Sequence, residues 1–196
     1  MPAKHELRKY EGDEKVWVGK YRNSHNLLHW HYDCELIYVE RGSIDVFCSG
    51  KNYTLSPGGS MFIQSGEIHY MKAREETYLL VFIFDESLMR ETAGKMRLAS
   101  PVLAHPDIIP EAYSHIRREL KEKKPFYAQA ANALTRLLIS DVLRYEKLTE
   151  QPTAEAGLKT LKKLLDDVED KYYEYSFERA CEFAGFSEAY FSRLFH

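Results

Sequence analysis

His29–Gly42, HWHYDCELIYVERG, is the stretch on which the reading of the N-terminal half turns. Side chains along an extended strand alternate between its two faces, so His29, His31 and Glu35 share one face if the strand is regular. His69, which follows Gly58 and Gly66, is the candidate fourth member of the group. Three imidazoles and one carboxylate converging inside a barrel suit a divalent transition ion such as iron, manganese, nickel or zinc, with positions left open for a ligand. The same four residues also suit a polar, hydrogen-bonded pocket without metal, and spacing alone does not bring His69 to the other three.

Working outward, Glu14 to Phe84 is a series of short runs rich in Val, Ile, Tyr and Phe at roughly ten-residue spacing. KVWVGKY, CELIYVERG, SIDVFCSG, KNYTLS, SMFIQS and TYLLVFIFD read as strands. The joints Arg41-Gly42-Ser43, Ser49-Gly50-Lys51-Asn52, Ser56-Pro57-Gly58-Gly59 and Ser65-Gly66-Glu67 are rich in residues that tolerate turn geometry. Such a pattern, with no intervening helix, predicts an antiparallel barrel or sandwich. After about Asp85 the period becomes helical. Ala112, Ile116 and Leu120 mark one helix, closed before Pro125, and Ala130, Leu134, Leu137, Leu138 and Tyr145 mark a longer one. Glu150-Gln151-Pro152-Thr153-Ala154 reads as a linker, and Leu158, Leu161, Leu165, Val168 and Tyr172 mark a further helix.

Composition sets the class. With 196 residues, 44% hydrophobic and 13% aromatic, the chain has ample material for real cores. No stretch approaches the roughly 20 apolar residues of a membrane span, and charges fill the N-terminus where a signal peptide needs an apolar segment, so a cytoplasmic protein is expected. Cys34, Cys48 and Cys181 are odd in number and scattered, which argues for buried thiols over a disulfide framework.

Ser176–His196, SFERACEFAGFSEAYFSRLFH, reads as a helix-turn-helix. Phe177, Ala180, Cys181 and Ala184 form one apolar stripe, Gly185 suits a left-handed turn, and Ser187 is placed to cap a second helix whose Tyr190, Phe191, Leu194 and Phe195 pack inward. An ordinary helical hairpin fits the same spacing. From Gln151 onward there are nine acidic residues (Glu155, Asp166, Asp167, Glu169, Asp170, Glu174, Glu178, Glu182, Glu188) against six basic (Lys159, Lys162, Lys163, Lys171, Arg179, Arg193). That is the reverse of the balance that phosphate contacts require, so this segment is not expected to hold DNA alone.

The spacing His29-x-His31, Glu35, Gly42 resembles the first cupin motif, and Gly58, Gln64, Gly66, His69 resembles the second. The departures are Asn23 in place of an opening glycine, Gln64 in place of a proline, and Ala73 in place of a final asparagine. At the other end Ser176, Glu178, Gly185, Phe186, Ser187, Tyr190, Phe191, Ser192, Arg193, Leu194 and Phe195 are similar to the first helix-turn-helix of the AraC/XylS regulators, with Cys181 where alanine is usual. The order barrel, helices, helix-turn-helix resembles that family from about Lys15 to His196.

The resemblance implies an α+β protein. It comprises an N-terminal antiparallel cupin-like β-barrel (1–105), a helical connector and dimerisation region (106–150) and a first, incomplete helix-turn-helix (151–196). It implies an effector-responsive, non-enzymatic transcription regulator that acts as a homodimer, sensing a small molecule such as a sugar-like metabolite. The pocket candidates are His29, His31, Glu35 and His69, with Trp30, Tyr38 and Phe62 either as wall aromatics or, the reading alternation favours no less, as barrel core, and the resemblance favours a pocket without a metal cofactor. Ala189, Ser192 and Arg193 would meet the DNA operator, Arg193 as the residue able to contact guanine or phosphate. The subunit contact is expected around Ala130 to Tyr145, with packing inside one chain as its competitor. The competing functions are a metal-dependent cupin enzyme, such as a dioxygenase or isomerase, and a stand-alone small-molecule binder. If the parent continues with a second helix-turn-helix, these 196 residues alone should bind an operator weakly.

Overall fold

The computed structural model describes residues 4–6, 10–150, 164, 167, 168, 171–185, 187 and 188. The chain divides into two compact units, residues 1–150 and 151–196.

In the first unit the strands are β1 (Lys4–His5), β2 (Val16–Arg22), β3 (His29–Trp30), β4 (Cys34–Arg41), β5 (Ile44–Cys48), β6 (Lys51–Leu55), β7 (Ser60–Ile63), β8 (His69–Ala73) and β9 (Tyr78–Phe84). They form two sheets, one in the order β1-β3-β8-β5-β6 and one in the order β2-β9-β4-β7. The result is a cupin-like sandwich of mixed sheets. The expectation of purely antiparallel strands is corrected at one edge, where β1 runs parallel to β3 and pairs Lys4 with His29 and His5 with Trp30.

Helices α1 (Glu86–Ala93), α2 (Ile109–Glu122) and α3 (Tyr127–Tyr145) follow, with a two-stranded ribbon of β10 (Met96–Leu98) and β11 (Leu148–Glu150). Asp85 starts α1 by accepting a hydrogen bond from the Ser87 amide, which satisfies one of the free donors of the first turn. Among the described residues no helix is long and apolar enough to cross a membrane.

Two buried layers organise this unit. Ile37, Val39, Ile44, Val46, Met61, Ile63, Met71, Val81 and Ile83 fill the space between the sheets. On the other face of the four-stranded sheet, Leu36, Phe62, Leu80, Phe82 and Phe84 pack against Leu88 of α1, Ile109, Tyr113 and Ile116 of α2, and Ala131, Leu138 and Val142 of α3. The helical segment expected as a connector therefore shares a core with the barrel. Within α3, Leu137 and Tyr145 are the exceptions, 54% and 65% exposed.

Gly42 ends β4 with φ +76°, a conformation that costs an L-residue roughly 1–2 kcal/mol. A Cβ here would also stand 2.3 Å from the Glu76 carbonyl oxygen and 2.9 Å from Thr77 Cα. Gly42→Ala is therefore expected to lower stability by about 2–4 kcal/mol, from backbone strain plus overpacking. Gly50→Ala, at φ +85° but with open space around it, should cost only the strain. Urea unfolding that ranks Gly50→Ala as the worse change would contradict this account.

In the second unit a 3-10 turn, Tyr172–Glu174, precedes a helix at Phe177–Ala184. Ser176 caps it by accepting from the Arg179 amide, and Gly185 closes it in the left-handed region, φ +65°. Cys181 and Leu164 form a small buried cluster with Val168, Tyr175 and Ala180. Phe177, expected on the apolar stripe, is 48% exposed. Beyond Ser187 and Glu188, the second helix of the expected helix-turn-helix, including Ala189, Ser192 and Arg193, lies outside the described residues.

Candidate ligand and metal site in the barrel

The site is assembled by two local rules. Alternation along β4 sends Glu35 into the sandwich with Ile37 and Val39, while Cys34 and Leu36 face the helices. Pairing of β3 with β8 sets His29 directly opposite His69, a register that no single segment encodes. His31, two residues past His29, completes the group. The ligand atoms of His29, His31, Glu35 and His69 lie within 4.8 Å of one another, and all four residues are buried.

Each imidazole is held by its other nitrogen. His29 Nδ1 meets the Leu27 carbonyl at 2.8 Å, His31 Nδ1 the Asp33 carbonyl at 2.9 Å and His69 Nδ1 the Glu67 carbonyl at 2.8 Å. A carbonyl oxygen only accepts, so each Nδ1 carries a proton and donates it, and each Nε2 is the free position of a neutral ring. In metal sites, hydrogen bonds of this kind fix the tautomer and aim the ring.

The three Nε2 atoms converge on Glu35. His31 Nε2 is 3.1 Å and His69 Nε2 3.3 Å from the same carboxylate oxygen, Oε2. His69 Nε2 is buried and makes no hydrogen bond. Lone pairs facing a buried carboxylate repel unless a cation stands between them, and both a proton and a metal ion answer that need. The donor set fits a divalent ion. Bonds of about 2.1 Å place opposite ligand atoms at most about 4.2 Å apart, so closure onto one ion needs shifts of roughly half an ångström.

Electrostatics without a metal follow from the same contacts. Burial disfavours charge on His31, but the hydrogen bond to Glu35 and its charge outweigh this and raise the His31 pKa. Burial would raise Glu35, yet the imidazoles of His31 and His69 outweigh it and hold the carboxyl below the usual carboxylate range. His29 is lowered, by burial first and then by its neighbour His69.

Linkage gives the sign. The raised His31 contributes stability that is fully present below its ordinary value of 6.5 and is lost as pH rises through its folded value. The lowered Glu35 contributes stability present above 4.5 and lost as pH falls through its folded value. Protein held in chelator should therefore lose His31-dependent stability as pH rises above 6.5, and His31→Asn should flatten that slope. Thermal unfolding across about pH 6–9, the range that brackets a raised histidine, checks this, and parallel curves for the two proteins would refute it.

Of the expected pocket residues, His29, His31, Glu35 and His69 are brought together. Tyr38 and Phe62 are not with them. Both pack into the helix-facing layer, because alternation that sends Glu35 and Ile63 inward sends Leu36 and Phe62 outward. Trp30 is buried but follows His29 onto the opposite face, where it stacks on His5 at 4.1 Å and meets Tyr32 edge-on.

Sequence reading missed Glu6, whose Oε2 is 3.8 Å from His29 Nε2, and the three carbonyls that hold the rings. All three cysteines are free and buried, as expected. Burial first, and nearby carboxylates after it, push the Cys34 and Cys48 thiols up to about 12. At Asn23, where the cupin motif opens with glycine, φ is +53°, a left-handed position that asparagine tolerates.

Residues 19–145 match the family described as AraC-like ligand binding domain. Similar solved structures include an RmlC-like cupin from Shewanella frigidimarina, 19% identical with a TM-score of 0.34, covering 36% of this chain and 67% of that one. A conserved protein of unknown function from Streptococcus pyogenes is 12% identical with a TM-score of 0.35, covering 37% and 66%. The oxalate decarboxylase of Bacillus subtilis is 26% identical with a TM-score of 0.34, covering 38% and 22%, so the match spans about a fifth of that enzyme. No curated protein matches. The chain belongs to the family of AraC-like ligand binding domains.

Proposed function

We propose that the chain is the ligand-sensing part of a DNA-binding transcription regulator, and that its barrel senses through a divalent transition ion held by His29, His31, Glu35 and His69. The observation that carries the site is the fixing of all three Nδ1 protons on main-chain carbonyls, which leaves three Nε2 atoms and one carboxylate aimed at one point. A bound ion would supply a Lewis-acid anchor for an oxygen-bearing ligand. His29, the imidazole with the half-exposed Glu6 carboxylate beside it just past β1, is the side from which such a ligand would approach.

The regulator reading is supported by family membership and by the capped helix Phe177–Ala184 with its Gly185 turn. In this reading Ala189, Ser192 and Arg193 meet the operator in the complete parent protein, and Leu137 and Tyr145 on α3 are the exposed apolar residues offered to a second subunit.

Elemental analysis and calorimetric titration of the purified chain with Co²⁺ or Mn²⁺ test the site, with one ion per chain expected. Turnover of the bound small molecule would instead favour a metal-dependent enzyme. A gel shift at moderate salt tests the DNA part: these 196 residues should bind weakly, and tight, sequence-selective binding would show that they suffice alone.

A further inference from the structure

The turn Gln64–Glu67 touches the four-donor site on one side and the β10–β11 ribbon on the other. Toward the site, the Gly66 amide donates to the His31 carbonyl at 2.8 Å, and the Glu67 carbonyl accepts from His69 Nδ1. Toward the ribbon, Gln64 grips Leu98 at two points: its Oε1 accepts from the Leu98 amide at 3.1 Å and its Nε2 donates to the Leu98 carbonyl at 3.4 Å. Arg97 Nη2 meets Glu67 Oε1 at 3.4 Å, with both side chains largely buried. The turn is held in one shape by the Glu67 carboxylate, which accepts from the Gln64 amide at 2.8 Å.

From there the connection is continuous. Arg97 pairs with Thr149 and Leu98 with Leu148, the Ala99 amide donates to the Lys147 carbonyl, and β11 ends at Glu150, the last residue of the first unit. Gln64 is also where the sequence departs from the proline of the cupin motif. A proline there would have no amide to give Glu67 and no side-chain amide to grip Leu98.

We propose that this turn is a relay. It ties the positions of His31 and His69 to the β10–β11 ribbon, so that filling the site alters the ribbon from which the chain passes into the second unit. The proposal rests on the reading of the site as a sensor, but not on the nature of what fills it. By linkage, whatever firms the ribbon must in turn strengthen binding at the site.

Amide hydrogen exchange of the full chain tests it, read at Leu98, whose amide reports the grip, and at Ala99, whose amide reports the ribbon. Two variants each remove one imidazole of the site. His69→Ala cuts a tie to the turn, whereas His29→Ala cuts ties to Leu27 and Glu6, neither of which belongs to the turn. Exchange at both amides is expected to be at least about 10-fold faster in His69→Ala than in His29→Ala. Co²⁺ should slow the same amides in the wild type, and in Gln64→Ala and Arg97→Met it should bind with unchanged stoichiometry without slowing them. Equal exchange in the two histidine variants, or a Co²⁺ response that survives in Gln64→Ala, overturns the relay. If Co²⁺ does not bind at all, the metal reading fails, while the histidine comparison still decides the relay.

Discussion

Glu35→Gln is expected to abolish divalent-ion binding at micromolar protein, a loss of more than about 100-fold in affinity, since a buried charge stripped of its partner costs several kcal/mol. The variant keeps the shape of the side chain and removes the one anionic donor of a buried site. Three neutral imidazoles supply no negative charge to offset a divalent ion in a region of low dielectric. The substitution acts in the opposite sense on the ion-free protein. There the Glu35 charge raises the His31 pKa, and without it the opposing effect of burial is left to lower it.

His69→Ala should also weaken the ion strongly, by at least the roughly 10–100-fold that follows loss of a mere outer-shell partner. Tyr38→Phe and Trp30→Phe should leave it unchanged, since neither side chain faces the site. Titration of the four variants with Co²⁺, each checked for a cooperative unfolding transition, reads the outcome. Wild-type affinity in Glu35→Gln would remove the ion from the account, and a loss in Tyr38→Phe as large as that in His69→Ala would show that the assignment of faces is wrong.

That assignment of faces is also where the sequence was least legible. In β5 the buried residues Ile44, Val46 and Cys48 alternate with half-buried Asp45 and Phe47, and the period of two identifies a strand with one covered face. In β9, by contrast, Leu79 to Phe84 is apolar at every position because both faces are buried, one against the second sheet and one against the helices. Such a run announces a strand but hides which residues look inward. The apolar runs of β4 and β7 hide it in the same way, which is why pattern alone leaves Tyr38 and Phe62 between pocket wall and core. His29, His31 and Glu35 were legible because their polarity marks a face by itself.

The convergence of His69 depended on the pairing of two short strands far apart in sequence, which local pattern does not carry. Helix α1 was missed although its signals stand in the sequence, an Asp85 cap and a Gly94 stop around two buried residues, Leu88 and Met89. Its eight residues are too few for a strong period. The strands at Lys4–His5 and His29–Trp30 are two residues each, below what periodicity resolves.

Phe82→Ala is expected to be the most damaging of the core truncations, lowering the stability of the first unit by about 3–5 kcal/mol. Phe82 has no exposed surface, pairs laterally with Leu36 and Val18, and meets the Tyr113 ring of α2 edge-on at 5.7 Å. Its removal opens a void between a rigid sheet and a helix held by Ile109 and Ile116, so neither side can collapse to fill it. Against a typical total of about 5–15 kcal/mol, such a loss leaves the unit marginal.

Phe47 supplies the contrast. It lies half-buried on the outer face of the five-stranded sheet, stacked on Tyr70 at 5.4 Å with no helix above among the described residues. Phe47→Ala should cost only about 1 kcal/mol, the worth of a cross-strand aromatic pair. Both tryptophans, Trp17 and Trp30, belong to residues 1–150, so their fluorescence in urea follows this unit without interference from the second. A shift in midpoint with unchanged slope would identify lost packing as the cause. If Phe47→Ala proved the costlier change, the helices would have to cover the other sheet, and the inward face on which His29, His31, Glu35 and His69 meet would have to be reassigned with it.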